Sequence, residues 1–195
     1  AAIGVKLQAL DLFAPIRDGV HIEQKVVTHT PVDKLYDAFI TILAGAHGLV
    51  EVNTLLRADP ALQTAIGRTC CAEQSVVPDT LDACTPQTVG QLEQALDTIY
   101  QRHSQGYRHD YQQQYQVLDA DMSGMPCGRK AEVATKGYFA KQRNRRGRQL
   151  GRVVASRYDE VVVDRVFAGT TQLATALQPL VCAAERTLAL EQDPD

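Results

Sequence analysis

The segment from Gln114 to Gly124, with the sequence QYQVLDADMSG, restricts the fold more than any other part of the chain. Apolar residues at its start lead to two carboxylates, Asp119 and Asp121, which are two positions apart. On an extended strand, side chains two positions apart point to the same face. The pattern therefore predicts a strand that ends with two neighbouring acids on one face, followed by the small residues Ser123 and Gly124.

This pair of acids predicts a cation site. Two like charges held close together are costly unless a cation neutralises them. Mg²⁺ accepts carboxylate oxygens and leaves coordination positions for phosphate oxygens. We therefore expect Asp119 and Asp121 to bind Mg²⁺ (or Mn²⁺) and to act in catalysis. The alternative is a strand-end turn, in which Asp side chains accept hydrogen bonds from backbone amides.

Length and composition fit a globular protein with one substantial domain or two small ones. The 195 residues are 45% hydrophobic and 22% charged, with a net charge of -3, which is unlike a disordered chain. No apolar run approaches the roughly 18 residues of a membrane span, so we expect no membrane partner and a cytoplasmic location. The cysteines form no C-x-x-C pair and the histidines show no ligand spacing, so no zinc site is predicted.

Residues 1–105 are predicted to form a mainly helical domain. Apolar residues recur at intervals of three and four in Val32–Gly45 and Gln87–His103, which indicates two amphipathic helices, capped by Thr30 and Thr85. The β-branched residues of Val20–Thr28 predict a strand, and Pro15 with Gly19 a turn before it. Three shorter helical units are expected between the two amphipathic helices: Val50–Arg57, Pro60–Gly67 and Ala72–Cys84.

The last two of these short units resemble a helix-turn-helix, in which the second helix offers polar side chains to the major groove of DNA. Gln74 and Ser75 are the DNA-binding residues that this interpretation predicts. An ordinary pair of packed helices is the alternative, and Pro78 argues for a break in the second unit. The full set expected to be exposed is Glu73, Gln74, Ser75, Asp79 and Thr80.

Beyond the polar connector Ser104–Gln113, the apolar period changes from 3.6 to 2. Strands are predicted at Arg148–Ser156 and Glu160–Phe167, joined by a turn at Tyr158 and Asp159, and then a helix at Thr171–Leu190 that Pro179 should kink or split. The predicted fold class is α+β, with a helical domain over 1–105 followed by a β-β-β-α unit over 114–195. That order resembles the beginning of an RNase H-like domain.

A basic segment lies between Arg129 and Arg152, with nine of the chain's 20 basic residues and a single acid, Glu132. Phosphate backbones are the usual target of such a local positive field. Asn144–Gly147 is predicted as the tip of a hairpin, and the alternative is a solvated surface loop. The predicted DNA-binding residues here are Lys136, Lys141, Arg143, Arg145, Arg146 and Arg148.

Taken in order, these segments resemble a DDE transposase of a bacterial insertion sequence. The similarity is carried by VLDADMSG at the strand end and by GYFAKQRNRRGRQLGRV followed by VVVDRVFAG. The upstream segments VNTLLRADPALQTAIGR and AEQSVVPDTL resemble the helical N-terminal part of such enzymes. The resemblance covers essentially the whole chain.

The resemblance implies an RNase H-like enzyme that cleaves a phosphodiester at a transposon end and joins the freed 3′-hydroxyl to target DNA with two Mg²⁺ ions. Asp121 is the implied first catalytic carboxylate, because the family favours Asp-x-Ser/Thr there, and Asp119 is a co-ligand or supports it. The implied partners are double-stranded transposon-end and target DNA in the bacterial nucleoid, and a second copy of the full-length protein. The second catalytic Asp and the Glu would follow Leu190, so the chain is interpreted as a fragment that is inactive alone.

Two other interpretations stay open at this point. One is a DNA-binding remnant of a transposase without catalysis. The other is a haloacid-dehalogenase-type phosphatase, in which the first Asp of Asp-x-Asp is the nucleophile and the second a general acid. That class would require a Rossmann-like series of β-α units after the strand.

Overall fold

The computed structural model describes residues 2–25, 28–139 and 142–190, apart from the side chains of Tyr138 and Gln142. The chain divides into two units, Ala1–Ile99 and Tyr100–Asp195. The described part of the first is helical, and that of the second holds an antiparallel sheet and a long helix, so the class is α+β. No helix within the described ranges has both the length and the apolar character that a membrane crossing requires.

The first unit is a series of helices joined by short connections. The predicted long helices are confirmed at Pro31–Leu43 and from Pro86 onward, and the three short units are present in shorter form. The elements are α1 (Ala2–Ala9), α2 (Ala14–Gly19), α3 (Pro31–Leu43), a 3₁₀ turn (Leu49–Glu51), a π-helical turn (Val52–Leu56), α4 (Pro60–Ala65), α5 (Val76–Asp82) and α6 (Pro86–His103).

Side-chain caps start α3 and α6 at the predicted residues. The Thr30 hydroxyl accepts a hydrogen bond from the Asp33 amide at 3.1 Å, and the Asp33 carboxylate accepts one from the Thr30 amide at 3.0 Å. The Thr85 hydroxyl accepts a hydrogen bond from the Thr88 amide at 3.2 Å. Each cap satisfies backbone donors that have no partner within the helix.

The strand predicted at Val20–Thr28 is wrong for its described part. Residues 20–25 and 28 have no strand pairing, and residues 26 and 27 lie outside the described ranges. Val20 is only 3% exposed and packs with Ile16 and Ala95, so its apolar side chain serves a helical core instead of a sheet. Pro15 lies in the first turn of helix α2, where its missing N–H is tolerated, and the turn predicted there is absent.

A buried ion pair ties α3 to the segment after α4. Asp37 is 0% exposed, and its carboxylate accepts hydrogen bonds from Arg68 at 3.0 and 3.2 Å and from the Ala72 amide at 2.6 Å. Arg68 also donates to Asp33 at 2.6 Å. Burial disfavours the charged form of Arg68. The hydrogen bond to Asp37 and the negative charges of Asp37 and Asp33 outweigh this effect, so the pKa of Arg68 is raised.

We expect Asp37→Ala to destabilise the first unit by about 3 kcal/mol, because it leaves the Arg68 guanidinium buried without its main counter-charge. Amide hydrogen exchange of α3 and α5, followed by mass spectrometry, would show faster exchange there than in the wild type. Asp79→Ala at an exposed position of α5 is the control and should change little. Equal exchange in the two variants would contradict the importance of the pair.

The second unit consists of an antiparallel sheet and one covering helix. The long strand β3 pairs with β1 along one edge and with β4 along the other. Gly147 pairs with both Pro126 of β1 and Thr135 of β2, so β2 extends the sheet on the β4 side of β3. The elements are β1 (Leu118–Pro126), β2 (Thr135–Phe139), β3 (Gln142–Ala155), β4 (Glu160–Ala168) and α7 (Leu173–Thr187).

Helix α7 covers one face of this sheet. Leu180 and Ala176 of α7 are fully buried in one cluster with Val153 of β3 and Val163 of β4. The helix contacts β1, β3 and β4, and no helix among this unit's described residues covers the other face of the sheet. Pro179 is exposed and lies inside a single helix, so the predicted split is wrong.

The basic segment forms more strand than predicted. β3 begins at Gln142 instead of Arg148, because residues 142–147 pair with β2, a strand that the sequence pattern did not indicate. Asn144–Gly147 is therefore part of a strand and not a hairpin tip. The order is still a meander of β1, β3 and β4 followed by α7, with β2 added ahead of β3.

Candidate functional site

Strand β1 places Asp119 and Asp121 on one face. Burial alternates along the strand: Leu118, Ala120 and Met122 are half-buried toward α7, whereas both acids are exposed. The two carboxylates therefore stand on the open face, opposite α7. Within the described residues β1 pairs with β3 alone, so the acids lie on an edge strand that solvent can reach.

Each acid has a polar neighbour on β3 or just after it. The Ser156 hydroxyl donates a hydrogen bond to Asp119. Arg152 is the cross-strand partner of Asp121 and forms a two-pronged ion pair with Asp164 of β4, with both N–O distances 2.7 Å. The hydrogen bond and charge of Asp164 raise the pKa of Arg152. The row Asp121, Arg152 and Asp164 thus alternates in charge across three strands and relieves part of the repulsion between the acids.

Arg152, Asp164 and Ser156 are part of this site but were not predicted from the sequence. The hairpin turn alone did not indicate the first pair. Counting back regularly from the Ala155–Glu160 pair places residue 152 opposite residue 163, and only the register shift between Val153 and Val154 brings it opposite Asp164. No comparable count links Ser156 to Asp119, since their strands are separated in sequence by the whole basic segment.

The donor set suits a hard divalent cation in part. In residues 2–25, 28–139 and 142–190, no group of three or more His, Cys, Asp or Glu side chains is placed to hold a metal ion. Two carboxylates are nevertheless a set that Mg²⁺ accepts when water and phosphate oxygens fill its other positions.

The basic residues predicted to bind DNA divide into two groups. Arg143, Arg145 and Lys136 are exposed on the β2–β3 hairpin. Arg146 and Arg148 are half-buried and donate hydrogen bonds to the carbonyl oxygens of Ala134 at 3.1 Å and Glu132 at 2.8 Å. These two side chains therefore hold the loop between β1 and β2 in place. Lys141 lies outside the described residues.

The helix-turn-helix prediction has a mixed outcome. Helices α4 and α5 are short, and Gln74 and Ser75 precede α5 instead of lying on it. Ser75 is exposed, but the side-chain oxygen of Gln74 is buried. The prediction that Thr80 is exposed is wrong: it is 0% exposed, and its hydroxyl donates to Gln24 at 2.7 Å. The expected polar set therefore does not form one exposed helix face.

Glu160 has a structural role at the start of β4. Its carboxylate accepts hydrogen bonds from the amides of Gln105 and Gly106, both at 2.8 Å, and from the Tyr100 hydroxyl at 3.3 Å. Burial, together with the Glu160 charge, raises the pKa of Tyr100 to about 12. Glu160 thus fixes the connector against the sheet, in agreement with its interpretation as a sheet residue.

His109 fixes the other end of the same connector. It is buried, and its ring nitrogens lie 2.8 Å from the Tyr158 hydroxyl and 3.0 Å from the Gln114 carbonyl oxygen. A carbonyl can only accept, so Nε2 donates to the Gln114 carbonyl oxygen, and Nδ1 pairs with the Tyr158 hydroxyl. The segment predicted as a polar connector is therefore attached to the sheet domain at both ends.

No protein-family model, curated protein or solved structure matches the chain. An open acidic pair suits a hard cation, and a basic hairpin on the same sheet suits a polyanion.

We expect Glu160→Ala to destabilise the second unit by roughly 1 to 3 kcal/mol, because two backbone amides lose their acceptor. Hydrogen exchange at residues 104–111 should accelerate most, since Glu160 accepts from the amides of Gln105 and Gly106 within this segment. Glu185→Ala at an exposed position of α7 serves as the control. Unchanged exchange in Glu160→Ala would show that the carboxylate does not anchor the connector.

Proposed function

We propose that the chain is the DNA-binding and metal-binding part of a DDE transposase-like enzyme, with an RNase H-like second unit. The observation that carries this proposal is that one strand, β3, contains the basic hairpin residues and the cross-strand partner of Asp121. Arg143 and Arg145 lie at the hairpin end of β3, and Asp121 lies beside Arg152 farther along it, so the two groups would engage separate phosphates of one DNA molecule. By strand alternation Arg145 has the parity of Gly147, on the face opposite the acids.

The strand order supports the RNase H-like part of the proposal. An antiparallel meander of β1, β3 and β4, followed by a helix across one face, is the order in which that fold begins, with the acids on its first strand. The short strand β2 is an addition that carries part of the basic hairpin. The four described strands all pair antiparallel, whereas a haloacid-dehalogenase-type phosphatase needs a Rossmann-like parallel series. We therefore do not propose that alternative.

Distance along β3 gives the scale of the contact with DNA. Arg145 and Arg152 are seven residues apart, which is roughly 23 Å on an extended strand. Duplex DNA rises 3.4 Å per base pair, so a duplex along β3 would span roughly seven base pairs between the hairpin and the acids. This length allows several phosphates to be bound at once.

The residues around the acids would prepare a site for Mg²⁺ or Mn²⁺ held by Asp119 and Asp121. When bound, such an ion would neutralise phosphate charge and activate an attacking oxygen. Ser156 orients the Asp119 carboxylate by its hydrogen bond. Arg152 limits the repulsion between carboxylates, while Asp164 holds the guanidinium on the β4 side.

We expect Arg143→Ala/Arg145→Ala to weaken duplex DNA binding. The slope of log K against log salt, which is negative, should become less steep by about 2, because each of the two lost phosphate contacts would release about 0.9 counterions. Fluorescence anisotropy of a labelled duplex over a range of NaCl concentrations measures both quantities. Arg102→Ala/Arg157→Ala removes the same charge at exposed positions outside the hairpin and is the control. Equal slopes for the two double variants would contradict hairpin binding.

We expect Mn²⁺ to broaden the backbone amide NMR signals around Asp119 and Asp121, and Asp119→Asn/Asp121→Asn to abolish this broadening. Arg152→Ala should increase Mn²⁺ affinity, because it removes a positive charge beside Asp121. Asp159→Asn is the control, since Asp159 is exposed with φ 54° and Asn adopts that conformation readily. Broadening that persists in the double Asn variant would refute a metal site at this pair, while DNA binding would be judged separately.

A further inference from the structure

Phe139 is buried at an unexpected place. It is the last residue of β2, in the exposed basic hairpin, yet it is only 1% exposed and is the largest of the fully buried side chains in the described chain. Arg143 and Arg145, on the facing strand of the same hairpin, are exposed. The ring therefore points away from the exposed side of the hairpin and packs against the other strands of the sheet.

Glycines from three parts of the sheet make room for this ring. A Cβ atom built at Gly124 of β1, Gly147 of β3 or Gly169 after β4 would lie 2.9, 2.8 or 2.7 Å from the nearest ring carbon. Any larger residue at these positions would occupy the space of the ring. Gly124 is two positions after Met122 on β1, so both residues are on the same face of the strand. The ring therefore packs on the face opposite the two acids.

A bulge in the hairpin directs Phe139 toward this socket. Gly137 pairs with Arg145 but Phe139 pairs with Gln142, so the register shifts by one residue between them. Asn144, on the longer side of the shift, has φ 57°, a left-handed conformation that Asn tolerates. Such bulges increase strand twist and redirect side chains.

We propose that Phe139 is a positioning residue: its ring, seated over Gly124, Gly147 and Gly169, fixes the direction of the basic hairpin relative to β1. This inference rests on the proposed function, because the hairpin is positioned for the phosphates of bound DNA. The ring contacts no DNA itself. It acts by holding the hairpin that carries Arg143 and Arg145 in one direction relative to β1.

Gly124 offers a selective test of the socket. A Cβ there would meet the Phe139 ring at 2.9 Å, and its next contact with another residue is the Gln149 side chain at 3.8 Å. At Gly147 and Gly169, by contrast, a Cβ would also meet backbone atoms. Gly124→Ala therefore displaces the ring and little else. Gly128→Ala is the matched control, since a Cβ at Gly128 meets nothing within 4 Å.

The first measurement is limited trypsin digestion of the full chain without DNA, with cleavage after Arg143 and Arg145 followed by mass spectrometry. We expect Phe139→Ala and Gly124→Ala each to raise the cleavage rate at least several-fold. Phe139→Leu should restore part of the protection. Gly128→Ala, and Tyr115→Ala at a fully exposed aromatic residue, should match the wild type.

The double variant Phe139→Ala/Gly124→Ala separates docking from a general loss of stability. Without the ring, the new methyl group at position 124 has room, so the double variant should be cleaved no faster than Phe139→Ala. Additive effects of the two changes would overturn the proposal. So would Gly124→Ala behaving like Gly128→Ala.

The second measurement is duplex binding by anisotropy across a salt range. Phe139→Ala and Gly124→Ala keep every basic residue, yet both should bind more weakly with a smaller salt slope, because fewer phosphates are engaged together. Faster cleavage with unchanged DNA binding would overturn the positioning role. If Arg143→Ala/Arg145→Ala leaves DNA binding unchanged, the proposed function is wrong. The trypsin digestion alone then tests whether the ring holds the hairpin in place.

Discussion

The register between β1 and β3 is the constraint on which the rest of the second unit depends. A slip of one residue would turn every side chain of β1 to the other face. Leu118, Ala120 and Met122 would then be exposed, and Asp119 and Asp121 would be pressed against α7. Burying two carboxylates without partners is far more costly than losing a few cross-strand contacts. The alternation of apolar and acidic residues therefore sets both the register and the exposure of the acids.

Packing holds this sheet together more than its ion pairs do. The Arg152–Asp164 pair is exposed, and such pairs contribute about 0 to 1 kcal/mol. Full burial of one side chain such as Leu180 contributes about 1.5 to 3 kcal/mol. The charges on the open face thus have little influence on folding and are free to serve binding. Acids on an edge strand also discourage strand pairing between copies.

Local sequence signals predicted the parts of this fold that local chemistry controls. The caps at Thr30 and Thr85, the hairpin turn at Asp159 and the acid pair on β1 all depend on residues a few positions apart. The contacts that the sequence pattern did not reveal are long-range. Val20 could pack in a sheet or in a helical core, and only its distant neighbour Ala95 decides which. The partner of Asp119, Ser156, is 37 residues away, so spacing gives no indication of it.

The socket of Phe139 shows why the hairpin was the least predictable element. Its shape depends on glycines at 124, 147 and 169, each of which alone indicates only a weak point in a strand. Glycine inside a strand or helix costs about 0.5 to 1 kcal/mol relative to alanine, so two strand glycines cost about 1 to 2. Burying Phe139 contributes about 1.5 to 3 kcal/mol, which exceeds this loss by only about 1 kcal/mol. A contact with so little net stabilisation is best explained by the geometry that it imposes. Alanine at position 124 would cost the strand less free energy than glycine does, but its methyl group would exclude the ring. The glycines thus lower the stability of the strands but let the ring fix the direction of the basic hairpin relative to β1.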